Sequence, residues 1–387
     1  MTQLGFRAVF MRGGTSRAVM FRRADLPADP ATWDPIFLAV IGSPDPNGRQ
    51  LDGMGGGISS LSKVAVIGAP SRPDADVDYT FGQVAVGEPV VDYRANCGNI
   101  SSAVGPFAVD EGMVPVTGTE ATVRIHNTNT KKLIVSRFPI ENGRAAVDGD
   151  FELQGVAGRG ARIRLEFRDP GGAGTGQLLP TGRVVDRLEV PGLGTIEASL
   201  VDATNPAVFV AAEAVGLTAT EEPTALERDR GALARLEAIR GAAAVRMGLA
   251  ATPEEATRKS PGSPKIAVVA APRLMTTLAG ARLEPEAMDL ATRMLSMGQP
   301  HRAVPLTGAM CLAVASRIDG TVPNALMRRI PRDADVRLAH PSGLLPLAAA
   351  VRREGAAWVA DYVVVYRTAR RLMEGAVLIP ARRLPDP

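Results

Sequence analysis

The chain has 387 residues, of which 45% are hydrophobic and 22% charged, and its formal net charge is +3. This length corresponds to about two domains, and the apolar content suffices for a sizeable core, so a disordered chain is excluded. The sequence has neither a basic stripe with interleaved aromatic residues nor an apolar run of ~18 residues, which argues against nucleic-acid and membrane partners. The N-terminus lacks a secretory signal pattern, and we expect a cytoplasmic protein.

Cysteine and histidine are rare, and their positions are far apart: Cys97, Cys311, His126, His301 and His340. Two cysteines cannot form a disulfide framework, and the spacings that bind zinc or calcium are missing. We therefore expect no metal and no other cofactor. The chemistry would then depend on side chains and backbone dipoles.

Short strands and turns dominate the first half of the chain, in keeping with 40 glycines and 30 prolines. Apolar segments flank Gly13-Gly14-Thr15-Ser16, which predicts two strands around a turn. Residues 31–42 predict a helix, and a loop rich in Gly, Pro and Asp follows up to Gly57. A helical turn is predicted near Ser59-Ser60. Further strands are predicted at 64–67, 79–86, 90–93, 123–126, 132–139 and 161–167, and a buried helix at 100–109.

A loop-rich segment at 170–182 suggests a domain boundary near residue 186. The predicted domains are residues 1–186 and 187–387, and the last strand is a candidate to return to the first domain. The segment 222–248 has the pattern of a long amphipathic helix. Such a peripheral helix is compatible with a homo-oligomer.

The second half of the chain resembles the first. The segment Lys63–Pro70 is similar to Lys265–Pro272, and Cys97–Val114 aligns without gaps with Pro305–Val322. Chance similarity between two apolar helices is one explanation. The other is a duplication, which predicts two similar α+β domains, each with a central helix under β structure.

Lys63 is a candidate catalytic residue because it is a rare lysine among many arginines, in a segment of Gly, Ser and apolar residues. A buried lysine can exchange a proton, whereas arginine stays charged. The preceding segment, Gly55–Ser62, predicts free backbone N–H groups that bind an anion. A Walker-type site is excluded because Ser62 and Val64 flank the lysine. The alternative is a lysine that extends to solvent or pairs with a carboxylate.

Cys97 is the second candidate because it lies in a turn, Asn96–Asn99, ahead of the predicted buried helix. The free N–H groups and dipole of a helix N-terminus stabilise a thiolate, which suits acid–base chemistry. The alternative is a small buried hydrophobic residue. Cys311 falls inside the second helix and is predicted to pack in the core. The position that matches Cys97 is Pro305, so the two halves are not chemically equivalent.

Polar groups collect where turns meet helices, and we expect these junctions to converge at a domain interface, where ligand sites are common. Several anion-binding helix ends would suit a substrate with more than one carboxylate. His301 could add a hydrogen-bond donor, or it could be a surface histidine. The predicted substrate-binding residues are Thr15, Ser16, Gly56, Gly57, Ser60, Gly98, Asn99, His301, Thr307 and Gly308.

Several motifs together resemble those of the PrpF-type isomerases, most closely the branch of 4-oxalomesaconate tautomerases and isomerases. They are MRGGTS (11–16), DGMGGG (52–57) with SKV (62–64), NCGN (96–99) with VGPF (104–107), NTNT (127–130), LLPTG (178–182) and LTGAMCLA (306–313). The similarity extends from about residue 6 to residue 325. Arg17 departs from it, since the family often has lysine there, and so does the stretch 100–102.

The resemblance implies a diaminopimelate-epimerase-like fold of two pseudo-symmetric α+β domains, with mostly antiparallel strands and an active site between two helix N-termini. It also implies a cofactor-independent proton shift on an unsaturated di- or tricarboxylate, with Lys63 and Cys97 as catalytic residues. Other branches act on 2-methylaconitate or methylitaconate. Racemases of this fold use two facing cysteines, and Pro305 argues against that chemistry. A non-enzymatic, carboxylate-binding accessory protein is the remaining alternative.

Overall fold

The computed structural model describes residues 2–93 and 96–384. Contacts divide the chain into two compact units. Unit 1 comprises Met1–Phe167 and Tyr366–Pro387, and unit 2 comprises Arg168–Val365. Each unit combines many β-strands with a few α-helices, which confirms the α+β class predicted from the sequence.

Unit 1 begins with a β-rich segment that contains helices α1 (Trp33–Ile41) and α2 (Ser101–Asp110). Helix α1 ends at Gly42, whose φ of +86° is the left-handed conformation that glycine adopts at helix ends. The strands are β1 (Gln3–Gly13), β2 (Ser16–Arg22), β3 (Lys63–Gly68), β4 (Val77–Val84), β5 (Val91–Asp92), β6 (Glu120–Asn127), β7 (Lys132–Glu141), β8 (Arg144–Ala145), β9 (Phe151–Glu152), β10 (Arg159–Gly160) and β11 (Ile163–Arg168).

Unit 2 contains helices α3 (Pro223–Arg228), α4 (Arg230–Arg246), α5 (Pro253–Lys259), α6 (Leu306–Arg317) and α7 (Val322–Leu326). Its strands are β12 (Asp186–Val190), β13 (Gly194–Ala203), β14 (Asn205–Ala211), β15 (Lys265–Ala270), β16 (Met275–Thr276), β17 (Arg282–Leu283), β18 (Leu290–Ser296), β19 (Gln299–Pro300), β20 (Val336–His340), β21 (Gly343–Glu354) and β22 (Ala357–Arg367). The final residues of β22 and the last strand, β23 (Ala369–Pro380), belong to unit 1.

The strands of unit 1 alternate between antiparallel and parallel neighbours. The β1–β2 hairpin is antiparallel, β2 and β3 are parallel, and β3 and β4 are antiparallel. Strand β4 is then parallel to β6, which is antiparallel to β7. The last strand, β23, pairs with the other edge of β1, so the end of the chain returns to the first unit.

Unit 2 repeats this strand order. The β13–β14 hairpin is antiparallel, β14 and β15 are parallel, β15 and β18 are antiparallel, β18 and β20 are parallel, and β20 and β21 are antiparallel. The strands β3 and β15 occupy the same place in the two series, and Lys63 and Lys265 are their first residues. The internal repeat predicted from the sequence is therefore present in the strand order.

Among the described residues, a central helix in each unit is buried along most of its length. Residues 101–109 of α2 are all buried, and so are residues 308–317 of α6. Helix α2 packs against β6 and β7, whereas α6 packs against β13, β14 and β21. Gly105 permits the close approach of α2, because a Cβ there would lie 2.7 Å from Phe138 Cε1.

The two units divide between Phe167 and Arg168, not near residue 186. The loop at 170–182 contributes to unit 2 because Asp202 binds it: Asp202 Oδ2 accepts hydrogen bonds from the N–H groups of Gly174 and Thr175, at 2.8 and 2.6 Å. A turn-rich composition cannot reveal which unit such a loop joins, because its anchor is a distant residue.

The segment 222–248, predicted as one helix, forms two. Asp229 separates α3 from α4, and its side chain accepts a hydrogen bond from Ala232 N at 2.8 Å as the N-cap of α4. Leu236 and Ile239 of α4 are buried in the core of unit 2. Within residues 2–93 and 96–384, no helix combines the length and apolar character needed to span a membrane.

Candidate functional site

The tip of the β1–β2 hairpin lies against the turn that precedes α2. Gly14 has a φ of +51°, and a Cβ there would lie 2.3 Å from Asn99 Oδ1, so this position requires glycine. The Asn99 carboxamide donates from Nδ2 to Thr15 Oγ1 at 3.0 Å. Two predicted substrate-binding residues, Thr15 and Asn99, are thus bonded to each other, and Ser16 beside them is buried.

Cys97 lies in the turn before α2, as a free and partly buried thiol. Its carbonyl oxygen accepts hydrogen bonds from Ser101 N at 2.9 Å and from Ser101 Oγ at 3.0 Å. Gly98 and Asn99 form the turn between them. The structure therefore places Cys97 at the N-terminal end of the buried helix, where the sequence predicted it.

Lys63 is the first residue of β3 and is only 7% exposed. Its Nζ donates a hydrogen bond to Oε1 of Gln83, the residue opposite it on β4, and lies 5.2 Å from the centre of the Phe81 ring. Gln83 is itself held by donating from Nε2 to Ser62 O at 2.9 Å. Among the described residues, no carboxylate forms an ion pair with Lys63, and the side chain does not extend to solvent.

The motif Asn127–Thr130 connects the surroundings of the two candidate residues. The side chain of Asn129 bonds to both backbone groups of Phe81, at 2.8 Å each. Asn127 donates from Nδ2 to Asn129 Oδ1 at 3.2 Å and to Asn96 Oδ1 at 3.5 Å. This motif therefore links the aromatic residue beside Lys63 to the residue before Cys97, which is a structural role.

In the glycine-rich loop before Lys63, two of the backbone N–H groups that were expected to be free are bonded within the protein. Gln50 is 1% exposed, and its Oε1 accepts from Gly57 N at 2.9 Å and from Ser62 Oγ at 2.7 Å. Gly55 N donates to Ile41 O at 3.0 Å. These two glycine N–H groups are already bonded within the protein, and the bonds hold the loop in its shape.

The helical turn after this loop is a single 3-10 turn, Ser59–Leu61, and not the start of an α-helix. A turn of this length has little dipole, so a helix dipole contributes little to anion binding there. Ser60 is partly buried in the turn. Gly56 lies close to Arg17, since a Cβ on Gly56 would be 3.4 Å from Arg17 Nη2. The structure thus brings the loop near the β1–β2 hairpin.

The remaining predicted residues are in unit 2. His301 bonds through Nε2 to Ser296 Oγ at 2.7 Å. Burial lowers the pKa of His301 to about 4, and the charge of Lys265 acts in the same direction. His301 is therefore neutral at pH 7, and one of its ring nitrogens is already bonded.

Thr307 and Gly308 form the first turn of α6, as predicted. The Thr307 carbonyl accepts a hydrogen bond from Thr204 Oγ1 at 2.8 Å. A Cβ on Gly308 would lie 2.2 Å from Met294 Sδ and 3.4 Å from Lys265 Cδ, so a larger residue there would require the Met294 side chain to move. Gly308 therefore serves the packing of α6 against β15 and β18.

Sequence reasoning missed three polar residues that the structure places in these surroundings: Gln83, Lys265 and Arg367. Lys265 could have been found, because it aligns with Lys63 in the internal repeat. Burial lowers the pKa of Lys265. Arg367 is buried against Asn99, to which Nε donates a hydrogen bond at 3.1 Å. Nothing in the local sequence of Gln83 or Arg367 indicates these contacts.

Curated relatives match nearly the whole chain. The chain is 42% identical to a 3-methylitaconate isomerase of Eubacterium barkeri, with 99% of each chain covered. It is also 42% identical to a 2-methyl-aconitate isomerase of Cupriavidus necator, with 98% of each covered. A 4-oxalomesaconate tautomerase of Pseudomonas putida is 38% identical, covering 98% of this chain and 97% of the relative.

Two solved structures are similar to this chain in fold over nearly its whole length. The crystal structure of a methylitaconate-delta-isomerase has a TM-score of 0.92 and 41% sequence identity, covering 100% of this chain and 98% of that one. A hydroxyproline epimerase of Agrobacterium vitis has a TM-score of 0.51 at 12% identity, covering 98% and 93%, which shows the epimerase-like fold alone. The family model described as PrpF protein matches residues 3–380. This chain therefore belongs to the PrpF family, whose relatives named above are isomerases and a tautomerase.

Proposed function

We propose that this protein is an isomerase that shifts a proton and a double bond in an unsaturated di- or tricarboxylate. A C–H bond next to the conjugated system breaks, and its electron pair moves through the double bond toward a carboxylate. A new C–H bond then forms at the far end of the three-carbon unit. One proton leaves and one is added, so no oxidant, reductant or cofactor is required.

The observation that carries this proposal is the environment of Lys63. Its buried ammonium group is bonded to the neutral amide of Gln83 and packs near the Phe81 ring, without a carboxylate partner among the described residues. An ammonium group that is not neutralised by the protein can attract a carboxylate substrate and take part in proton transfer.

Cys97 is the proposed second group of the proton transfer. It lies in the turn ahead of α2, at the end of the helix where the dipole favours negative charge. The same end, with Gly98, is suited to stabilise the charge that develops on the substrate.

For the substrate, we propose a methyl-substituted unsaturated polycarboxylate of the methylitaconate or 2-methylaconitate type. The relatives with those names are 42% identical to this chain, whereas the 4-oxalomesaconate tautomerase is 38% identical. The motifs read from the sequence favoured oxalomesaconate, and that compound is the main competitor. An amino-acid epimerase is disfavoured because Pro305 has no proton to exchange at the position that matches Cys97.

The test is a panel of 3-methylitaconate, 2-methylaconitate and 4-oxalomesaconate, each incubated with the purified chain in deuterated buffer and followed by proton NMR. We expect a double-bond shift with deuterium incorporation for one of the methyl-substituted compounds, and we expect it to survive EDTA and dialysis. Preferred turnover of oxalomesaconate would reverse the substrate assignment. Tight binding without turnover of any compound would favour a carboxylate-binding accessory protein.

A further inference from the structure

One side chain of unit 1 holds the amino group of Lys63 in place. Gln83 lies opposite Lys63 in the antiparallel pair of β3 and β4, and its Oε1 accepts a hydrogen bond from Lys63 Nζ. Phe81 lies two residues earlier on β4, and the centre of its ring is 5.2 Å from Nζ. The register of the two strands therefore gives the buried amino group one hydrogen-bond acceptor and one aromatic ring.

Backbone contacts set the orientation of the Gln83 carboxamide. Its Nε2 donates to Ser62 O at 2.9 Å and to Ser59 O at 3.1 Å, with a longer contact to Val84 O at 3.4 Å. An amide nitrogen has two hydrogens, so the carbonyl groups take both of them, and Oε1 is left to face Lys63. A rotated carboxamide would place its oxygen against these carbonyl oxygens and its NH2 group against the lysine. The acceptor of Gln83 is therefore fixed toward Nζ.

The polar groups around position 83 match an amide and not a carboxylate. In Gln83→Glu, the carboxylate would have no donor for the carbonyl groups of Ser59 and Ser62, and it would neutralise Lys63 by forming an ion pair. In Gln83→Met, the side chain would keep a similar length, but the lysine and the carbonyl groups would lose a strong hydrogen-bond partner. The amide supplies an acceptor to the lysine and donors to the carbonyl groups, and it adds no charge.

The contact leaves most of the donors of Lys63 unused. An ammonium group has three N–H donors, and Gln83 takes one of them. Within residues 2–93 and 96–384, no other group accepts a hydrogen bond from Lys63 Nζ, and no carboxylate pairs with it. Two donors therefore remain for a ligand, and a carboxylate is a ligand group that an uncompensated ammonium group favours.

We propose that Gln83 is a positioning residue for Lys63: it fixes Nζ through one hydrogen bond without neutralising it, and so holds the other two N–H donors for a substrate carboxylate. This inference rests on the role that the proposed function gives to Lys63. It adds a neutral residue of the facing strand, outside every motif that carries the family resemblance. In this role Gln83 acts through Lys63.

The experiment measures kcat and KM of Gln83→Met and Gln83→Glu with the panel compound that the unsubstituted chain turns over. In Gln83→Met, Nζ keeps its charge but loses its anchor, so kcat should fall by about tenfold to a hundredfold while KM changes less. In Gln83→Glu, the new ion pair competes with the substrate carboxylate, so KM should also rise by about tenfold or more. Gln177→Glu adds the same carboxylate to an exposed loop of unit 2 and should leave both constants unchanged. Circular dichroism verifies that each variant is folded.

A normal kcat in folded Gln83→Met would overturn the proposal, even if Gln83→Glu does not fold. Equal changes of kcat and KM in the two variants would also overturn it, because a residue that only holds the backbone at Ser59 and Ser62 loses the same donors in both. If the unsubstituted chain turns over no compound of the panel, the proposed function fails, and this inference fails with it. The activity of the unsubstituted chain therefore distinguishes the two failures.

Thermal unfolding tests the contact without a substrate. In the otherwise unsubstituted chain, Lys63→Met leaves a neutral amide at position 83, whereas in the Gln83→Glu background it leaves a partly buried carboxylate without its partner, which is costly. We therefore expect Lys63→Met to lower Tm in the Gln83→Glu background by about 2 °C or more beyond its effect in the unsubstituted chain. Equal decreases of Tm in the two backgrounds would show that the two side chains do not interact, and would contradict the proposal.

Discussion

The two units share their strand order but differ at the N-terminal turn of the central helix. In unit 1 this turn carries Cys97 and Asn99, and in unit 2 the aligned positions are Pro305 and Thr307. In both units a hairpin tip touches the turn, through Thr15 and Asn99 in one and through Thr204 and Thr307 in the other. Both units therefore have a contact between the hairpin tip and the central helix, whereas a thiol occurs at this turn in unit 1 and not at the aligned position of unit 2.

The two lysines that open β3 and β15 differ in the same way. Lys63 bonds to the side chain of Gln83 on the neighbouring strand. Lys265 bonds to Gly262 O at 3.3 Å, and the neighbouring Ser296 bonds to His301 instead. The two lysines thus hold the same position in their strands, but their polar partners differ.

Among the substitutions considered for the two units, replacing each of these lysines by arginine should give the largest difference in kcat. Lys63→Arg keeps the charge but cannot exchange a proton, so kcat should fall by ~10²–10⁴-fold, as for the loss of a general acid–base group. Lys265→Arg should keep kcat within about tenfold of the unsubstituted value. Steady-state kinetics and deuterium exchange at the substrate carbon measure both. Near-normal turnover and exchange in Lys63→Arg would remove Lys63 from the catalytic role.

The two cysteines should differ sharply in reactivity. Burial raises the pKa of the Cys311 thiol, and its Sγ is fully enclosed near Val201 O at 3.4 Å. Cys97 is only partly buried at a helix end. Alkylation at pH 7 followed by peptide mass spectrometry should modify Cys97 first, and a polycarboxylate substrate should protect it. Modification of Cys311 before Cys97 would contradict the assignment.

The two hairpin tips should tolerate substitution differently. Gly14 has a φ of +51° and no space for a Cβ beside Asn99, so Gly14→Ala should destabilise the protein by about 1–3 kcal/mol. Thr204 has a φ of +64°, and in Thr204→Gly the relief of backbone strain offsets the lost hydrogen bond to Thr307 O, with a net change within about 1 kcal/mol. Chemical denaturation of the two variants checks the difference. Equal losses in the free energy of unfolding would mean that the two hairpin tips tolerate substitution equally.

The smallest expected effect concerns pH and is confined to unit 2. The pKa of His301 in the folded protein is about 4, below its ordinary 6.5, so the unfolded chain binds more protons between these values. Stability is therefore lost as the pH falls from 6.5 to 4, by about 1 kcal/mol or less because the ring is partly exposed. His301→Gln should flatten the dependence of Tm on pH in this range. An unchanged slope would show that His301 is not the group responsible.

Local sequence patterns predicted several strands and the buried helix of unit 1. Alternation of apolar residues gave the strands around the Gly13–Ser16 turn and β3, and a run of apolar residues after the NCGN turn gave the buried helix α2. These features depend on near neighbours in the chain, because turn geometry and side-chain periodicity are local properties. The motifs sufficed to recognise the family, and the internal repeat anticipated the strand order.

Tertiary structure decided the partners of the candidate residues. Gln83 faces Lys63 because of the register between β3 and β4, and Arg367 reaches Asn99 across 268 residues of sequence. Gln50 takes the N–H of Gly57 that composition suggested was free. No local pattern specifies such contacts, since they arise when strand pairing and close packing bring distant polar groups together and each buried group must find a partner. The sequence therefore indicated Lys63 and Cys97 as candidates, and packing determined which polar groups contact them.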